Sequence, residues 1–236
     1  MHERLHQLLR IEPDTPGQLR NVAPGLWACP DEPLGGPVNT CGFLLQRPAG
    51  NAFVYSCSRI ESYYEHIDEL GGVSVVLLNH RDEATRHVTT LANHYDAPVR
   101  THQAEVDACT RRSVESIIAF TETETHLGAD LVALHTPGHT PGVVSYLWAN
   151  PADDRRYLFT GDTLTKLTMD NAPAVLGFHP YPGNTDDLCQ TLTTLAEIPS
   201  DVLVPGLANG TIHSYQWNDN ERRVVLDHAR TQLAGT

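Results

Sequence analysis

The chain has 236 residues and a formal net charge of −13. This length is ample to bury a core without disulfide support, and it suits two β-sheets flanked by helices. The basic residues form no cluster that could neutralise a run of phosphates, and Lys166 is the only lysine. We therefore expect neither nucleic acid nor an anionic membrane surface as a partner.

Cysteine usage indicates a reducing compartment. The number of cysteines is odd and no CxxC pair occurs, which favours free thiols over a disulfide framework or a cysteine-based zinc site. The first residues, MHERLHQLLRIEP, contain no long apolar run and predict neither a signal peptide nor a membrane span. We expect a cytoplasmic protein in which residues 1–236 form one domain. The cysteines are Cys29, Cys41, Cys57, Cys109 and Cys189.

Apolar periodicity divides the chain into two similar halves, each with strands followed by helices. For example, residues 62–70 place Tyr63, Ile67 and Leu70 on one helical face, and glycines follow as a stop signal. This pattern predicts a mixed α/β (α+β) fold, a four-layer αββα sandwich. In chain order we predict strands at 22–28, 40–46 and 52–56, a helix at 62–70, a strand at 73–78, a helix at 83–95, strands at 131–134, 143–148 and 157–160, a helix at 186–196 capped by Asn184 or Thr185, a strand at 202–204 and a helix at 221–233.

The strongest functional signal follows two strands of the second half. HTPGHTPG at 135–142 follows one strand, and TGDT at 160–163 follows a later one. The glycines beside His139 and Asp162 allow sharp turns, so that an imidazole and a carboxylate can converge on rigid supports. This pairing predicts a metal site.

These motifs resemble those of the metallo-beta-lactamase superfamily. The early segment VNTCGFLL at 38–45 is similar to that family's "VNxYLL" strand, and together the matches span roughly residues 22–206. The resemblance implies the αββα fold of that family. It implies less about the reaction, because the superfamily hosts many chemistries.

The family's first motif, His-x-His-x-Asp-His, is incomplete at the corresponding segment HRDEAT. His80 matches the first histidine and Asp82 stands where the second would be. Ala84 and Thr85 replace the aspartate and the last histidine, and the late turn PGLANG at 205–210 lacks the family's histidine. By this resemblance, the second of the family's two metal positions keeps only the bridging aspartate.

The resemblance therefore implies one metal ion, held by His80, Asp82, His139 and Asp162. Two imidazoles and two carboxylates suit zinc first and iron second. His80 and Asp82, two residues apart in an extended segment, would point the same way. An alternative is that Asp82 caps the following helix. His87 or His213 could replace a lost ligand, and 179–183 could form a pocket wall.

Three functions are compatible with these residues. The first is a hydrolase of an ester, thioester or lactone in a small molecule, with Asp162 and Asp82 as catalytic carboxylates. The second is a mononuclear iron dioxygenase, as persulfide dioxygenases of the same family are. The third is a non-catalytic scaffold that has lost its metal.

Overall fold

Short strands make up most of the regular structure in the computed structural model, which describes residues 15–35, 38–166, 176–177, 183–209 and 214–234. The strands are β1 (Arg20–Ala23), β2 (Leu26–Ala28), β3 (Glu32–Gly35), β4 (Val38–Thr40), β5 (Phe43–Leu45), β6 (Ala52–Val54), β7 (Val75–Leu77), β8 (Val99–His102), β9 (Ile117–Phe120), β10 (Glu124–His126), β11 (Leu131–His135), β12 (Val144–Asn150), β13 (Arg155–Gly161), β14 (Thr165–Lys166), β15 (Leu176–Gly177), β16 (Val202–Pro205), β17 (Leu207–Asn209) and β18 (Tyr215–Gln216). The helices are α1 (Tyr64–Glu69), α2 (Arg86–Tyr95), α3 (Gln103–Arg111), α4 (Thr185–Glu197) and α5 (Asp219–Ala234).

Two sheets face each other across a shared apolar core. The first has the strand order β1-β2-β5-β6-β7-β8-β9, and the second has the order β10-β11-β12-β13-β16-β18. Both supply side chains to one buried cluster, including Phe43 and Tyr55 from the first sheet and Trp148 and Phe159 from the second. The rings of Phe43, Tyr55 and Phe159 meet edge to face, an arrangement that aromatic pairs prefer.

The helices lie on the two outer faces. A second apolar cluster joins the first sheet to α1, α2 and α3, and a third joins the second sheet to α4 and α5. The predicted αββα sandwich is therefore confirmed. The helix α4 begins as expected, because Asn184 Oδ1 accepts hydrogen bonds from the backbone N–H groups of Asp186 and Asp187.

Several predicted boundaries were wrong for local reasons. The predicted helix 83–95 begins only at Arg86, since Arg81–Glu83 forms a 3-10 turn. The predicted helix 62–70 opens with a 3-10 turn at Ile60–Tyr63. The predicted strand 22–28 is a hairpin, β1 and β2, that turns at Gly25 with a φ of +71°.

Several features had no counterpart in the sequence predictions, among them the strands β8, β9 and β10. The helix α3 follows β8 directly, where no helix was expected. A small third sheet has the order β15-β14-β17-β4-β3, so the predicted strand 40–46 is divided between two sheets. In this sheet β4 pairs with β17, and Thr40 Oγ1 donates a hydrogen bond to the carbonyl of Gly206 at 3.0 Å.

All five cysteines are free thiols, in agreement with the prediction of no disulfide framework. None of the helices within the described ranges combines the length and the apolar character that crossing a bilayer requires.

Candidate metal centre

The candidate ligands lie just beyond the ends of strands from both sheets. His80 follows β7 of the first sheet, while His139 follows β11 of the second. Asp162 follows β13 directly, after Gly161, whose φ is +51°. A side chain at Gly161 would collide with Asn79, so glycine is required both by the backbone and by the space. The ends of β7, β11 and β13 thus bring His80, His139 and Asp162 to one place.

The side chains of His80, Asp82, His139 and Asp162 converge. His80 Nε2 lies 3.6 Å from Asp82 Oδ2 and 3.6 Å from Asp162 Oδ2. His139 Nε2 lies 3.7 Å from Asp162 Oδ2, and the two imidazole rings meet edge to face at 4.7 Å. One ligand atom each from His80, Asp82 and His139 all lie within 4.8 Å of one another. Such spacing between nitrogen and oxygen atoms leaves room for an ion between them.

The orientation of His80 is fixed by Asn79. The Asn79 Nδ2 amide donates to the carbonyls of Val144 at 2.5 Å and Thr160 at 3.2 Å. Its Oδ1 therefore faces His80 Nδ1 at 3.0 Å and accepts from the backbone N–H of Asp162 at 3.2 Å. Nδ1 is then the donor of the imidazole, and Nε2 points at the two carboxylates. A hydrogen bond to the other ring nitrogen is the usual way in which a metal-ligating histidine is oriented.

The Nε2 atom of His80 is buried, and no hydrogen-bond partner reaches it from the residues that the structure describes. Burial lowers the pKa of His80, but the charges of Asp162, Asp82 and Glu83 outweigh it and raise the pKa to about 10. Burial raises the pKa of Glu83 above its usual value, although His80 opposes the shift. The negative potential that favours a proton on His80 would equally favour a divalent cation at the same place.

Asp82 occupies the rim of this site. Its side chain is 49% exposed, whereas that of His80 is 2% exposed. Arg112 Nη2 binds Asp82 Oδ1 at 2.7 Å, so that Oδ2 faces His80. The contact with His80, followed by that with Arg112, holds the pKa of Asp82 well below its usual range. Asp82 does not cap α2, because the residue at that position is Thr85.

The other sequence candidates lie elsewhere. His87 Nε2 accepts a hydrogen bond from Arg86 Nε at 3.3 Å, at the start of α2. Ala84 is buried in the cluster between the first sheet and its helices. His213 and the loop 179–182 lie outside the described residues, so the structure does not bear on those alternatives.

Sequence reasoning missed three residues that support the site: Asn79, Glu83 and Arg112. Asn79 precedes the segment HRDEAT and Glu83 lies within it, and both could have been noticed as polar residues that follow an apolar strand. The backbone N–H of Asn79 donates to Glu83 Oε2 at 2.6 Å. Arg112 lies 30 residues beyond Asp82 in the sequence, and no local signal connects the two.

Known proteins share this architecture. Residues 65–207 match the model of the Metallo-beta-lactamase superfamily. Rm3 metallo-beta-lactamase is 17% identical with a TM-score of 0.63, and the match covers 94% of this chain and 93% of that chain. A Cronobacter sakazakii metallo-beta-lactamase with a HARLDQ motif is 16% identical with a TM-score of 0.60, covering 89% and 90%.

A third similar structure is a B3 metallo-beta-lactamase described as having an active-site glutamic acid. It is 14% identical with a TM-score of 0.57, and the match covers 88% of this chain and 90% of that chain. No curated protein sequence matches the chain. At these identities the structural likenesses show the fold alone.

Proposed function

We propose that this chain, which belongs to the metallo-beta-lactamase superfamily, is a metal-dependent hydrolase with one divalent ion per molecule. The observation that carries the proposal is the environment of His80 Nε2. This buried nitrogen is oriented by Asn79 and lies 3.6 Å from one oxygen of Asp82 and one of Asp162. Without an ion, a buried nitrogen between two carboxylates at such distances makes no good hydrogen bond.

The donor set fits a divalent ion. Two imidazoles and two carboxylates, from His80, His139, Asp82 and Asp162, are a composition that zinc and iron accept. We expect zinc, with iron as the second choice. Both carboxylates present an oxygen to His80, and the imidazoles are held by burial, since His80 is 2% exposed and His139 is 4% exposed.

A bound ion of this kind lowers the pKa of a coordinated water and polarises an acyl oxygen. The chain itself would have to hold that water and accept its proton. Asp82 Oδ2 and Asp162 Oδ2 are the candidate acceptors, but the ion pair of Asp82 Oδ1 with Arg112 at 2.7 Å makes Asp82 a weak base. Ala84 stands where the family motif has a further carboxylate. We therefore expect slow catalysis.

This expectation narrows the substrate class. A site with a weak base favours acyl groups that need little activation, and esters, thioesters and lactones are more reactive than amides. The net charge of −13 disfavours polyanionic partners. We propose a small-molecule acyl substrate and a cytoplasmic location.

Two aspects of the relatives are compatible with an altered motif. The Cronobacter sakazakii metallo-beta-lactamase has a HARLDQ motif, where this chain has HRDEAT at 80–85. Another relative is a B3 metallo-beta-lactamase with an active-site glutamic acid. Both of these proteins carry the name metallo-beta-lactamase.

Elemental analysis tests the metal content directly. Protein purified without added metal should contain close to one equivalent of zinc or iron per chain. Two equivalents at full occupancy would contradict the mononuclear proposal and would indicate that another residue, such as His213, has been recruited.

A panel of esters, thioesters and lactones with zinc, manganese and iron then tests the reaction. In both assays, His139→Ala removes a candidate ligand, and His126→Ala is its matched control, because His126 is exposed on β10 and pairs with Glu124.

The exposed position of Asp82 favours a second candidate, a mononuclear iron oxygenase. If the ion pair with Arg112 keeps Asp82 from binding the ion, the remaining ligands are His80, His139 and Asp162. Two histidines and one carboxylate are the ligand composition of such enzymes. Oxygen uptake with iron and a persulfide substrate, without turnover of the acyl panel, would select this function. Absence of both activities and of retained metal would leave a binding scaffold.

A further inference from the structure

One buried carboxylate contacts both loops that carry the candidate histidines. Glu105 lies in the first turn of α3 and is 0% exposed. Its Oε2 accepts hydrogen bonds from the backbone N–H and Nε of Arg81 at 2.9 and 2.6 Å. Its Oε1 accepts from Arg81 Nη2 at 2.8 Å, from Thr140 Oγ1 at 3.0 Å and from the Gly142 N–H at 2.8 Å. Arg81 and Thr140 each directly follow one of the two histidines.

A carboxylate is buried at a high free-energy cost unless donors satisfy it. Glu105 has five such donors, and Arg81 binds it through the two-pronged geometry that guanidinium and carboxylate share. Burial raises the pKa of Glu105, but Arg81 and the other donors bring it below its usual value. The carboxylate is therefore ionised and held from both sides, so neither loop can move away without exposing an unpaired charge.

The close approach of the second loop depends on glycine. A Cβ atom at Gly142 would lie 2.6 Å from Glu105 Cγ and 2.7 Å from Glu105 Oε1. Real Cβ atoms do not come so close to such neighbours, so any larger residue would push Glu105 away. The tight fit at Gly142 is a second observation, independent of the hydrogen bonds, that α3 sets the position of this loop.

The contact of Glu105 with the two loops differs from the link that Asn79 makes between the two sheets. Asn79 joins the two sheets at the strand ends, where its carbonyl accepts the N–H of Val144 at 2.9 Å. Glu105 acts farther along, on the residues after each histidine. The two contacts brace the pair of loops at different points, and the imidazoles lie between them with their centroids 4.7 Å apart.

We propose that Glu105 is a positioning residue, which holds His80 and His139 at the separation that a divalent ion needs. The metal-binding part of this inference rests on the proposed function. Glu105 touches neither ion nor substrate. Its effect is to keep the ligands preorganised, so its loss should weaken metal binding more than loss of another arginine-paired carboxylate far from the two histidines.

Glu105→Gln is the test, because it keeps the shape of the side chain and replaces one carboxylate oxygen with an NH2 group. That group would face the N–H and O–H donors that the oxygen now accepts from. We expect zinc affinity, measured by competition with a chromophoric chelator, to fall about 10- to 100-fold. The matched control is Asp130→Asn. Asp130 accepts from Arg47 Nε and Nη2 at 2.9 and 2.8 Å and from Trp148 Nε1 at 3.2 Å, at the opposite end of β11. The control should lose thermal stability but keep zinc affinity.

Two milder variants protect the test against misfolding of Glu105→Gln. Thr140→Val removes one hydrogen bond and leaves the charge, and Gly142→Ala displaces the carboxylate without removing it. Both should weaken zinc binding, by less than Glu105→Gln. If all three variants lose stability but bind zinc like the wild type, Glu105 has a structural role only and the inference is wrong.

A metal-free measurement separates this inference from the proposed function. In crystal structures without metal, the His80–His139 centroid distance should grow in Glu105→Gln by about 1 Å, the displacement at which preorganised sites fail. An unchanged distance would overturn the positioning role whatever the metal does. If the wild type binds no metal but the distance grows, the proposed function falls and the positioning role stands.

Discussion

Tyr55 connects the two sheets directly beneath the candidate metal centre. It is 1% exposed, and its hydroxyl donates to the carbonyl of Val204 at 2.8 Å and accepts from the N–H of Gly161 at 2.8 Å. Tyr55→Phe removes one oxygen atom and leaves the ring in its aromatic cluster. The Gly161 N–H then faces an apolar ring, and Asp162, the next residue, loses part of its support.

The magnitude follows from the two contacts. A buried hydrogen bond contributes about 1 kcal/mol net, and a buried N–H left unpaired costs about 1–3 kcal/mol. We therefore expect Tyr55→Phe to lower the free energy of unfolding by about 2–4 kcal/mol. For a chain of this size, that corresponds to a fall in Tm of about 5–15 °C.

Urea denaturation followed by tryptophan fluorescence measures this loss, and the m-value should stay unchanged. Tyr146→Phe is the matched control, because Tyr146 is 0% exposed and its hydroxyl donates only to the carbonyl of Leu78, at 2.7 Å. It leaves no N–H unpaired and should lose about 1 kcal/mol. Equal losses in the two variants would refute the reasoning. We also expect weaker zinc binding in Tyr55→Phe only.

Three further variants test the site and the scaffold. His139→Ala should retain no measurable zinc on gel filtration and hydrolyse no acyl substrate, since it removes a buried ligand. The double variant Asp82→His with Arg112→Gln should bind zinc more tightly than the sum of the two single changes predicts. The reason is that Arg112, left without its partner Asp82, would repel the ion in the single variant Asp82→His. If the two changes in binding free energy simply add, Asp82 and Arg112 are not a coupled pair. Burial raises the pKa of Asp130, but Arg47 brings it below 3.8. The stabilisation is therefore present above that pH and lost as the pH falls, so Asp130→Asn should flatten the acid decline in unfolding free energy, measured by urea titration from about pH 5 to 2.

The sequence predicted the fold, and it placed the candidate residues beyond strand ends, because those signals are local. An apolar strand that ends in Gly-His or Gly-Asp carries its turn, its support and its functional group within a few residues. His139 and Asp162 could therefore be assigned together. Asp82 could be assigned only by its spacing from His80, and its half-exposed position at the rim was not visible in the sequence.

The helix α3 could not be predicted, and the reason lies in the residues it buries. Its inward face consists of Glu105, Ala108 and Cys109, so a charged residue stands where an apolar one would mark a helix. That glutamate is tolerated because the donors come from Arg81 and from the loop after β11, which are distant in sequence. Because these donors are distant in the sequence, the apolar pattern of the segment alone does not indicate a helix.

By the resemblance, Ala84 and Thr85 of the segment HRDEAT correspond to ligands of a second ion in the family motif, and in this chain the segment makes structural contacts instead. Glu83 is buried behind His80 and accepts the N–H of Asn79. Ala84 packs into the apolar cluster beneath α2, and Thr85 precedes the first turn of that helix. A carboxylate at Ala84 would have to bury its charge in that cluster, which is unfavourable without a paired cation. We therefore expect packing, as well as the missing ligands, to oppose a second metal position, and we expect that one substitution would not restore it.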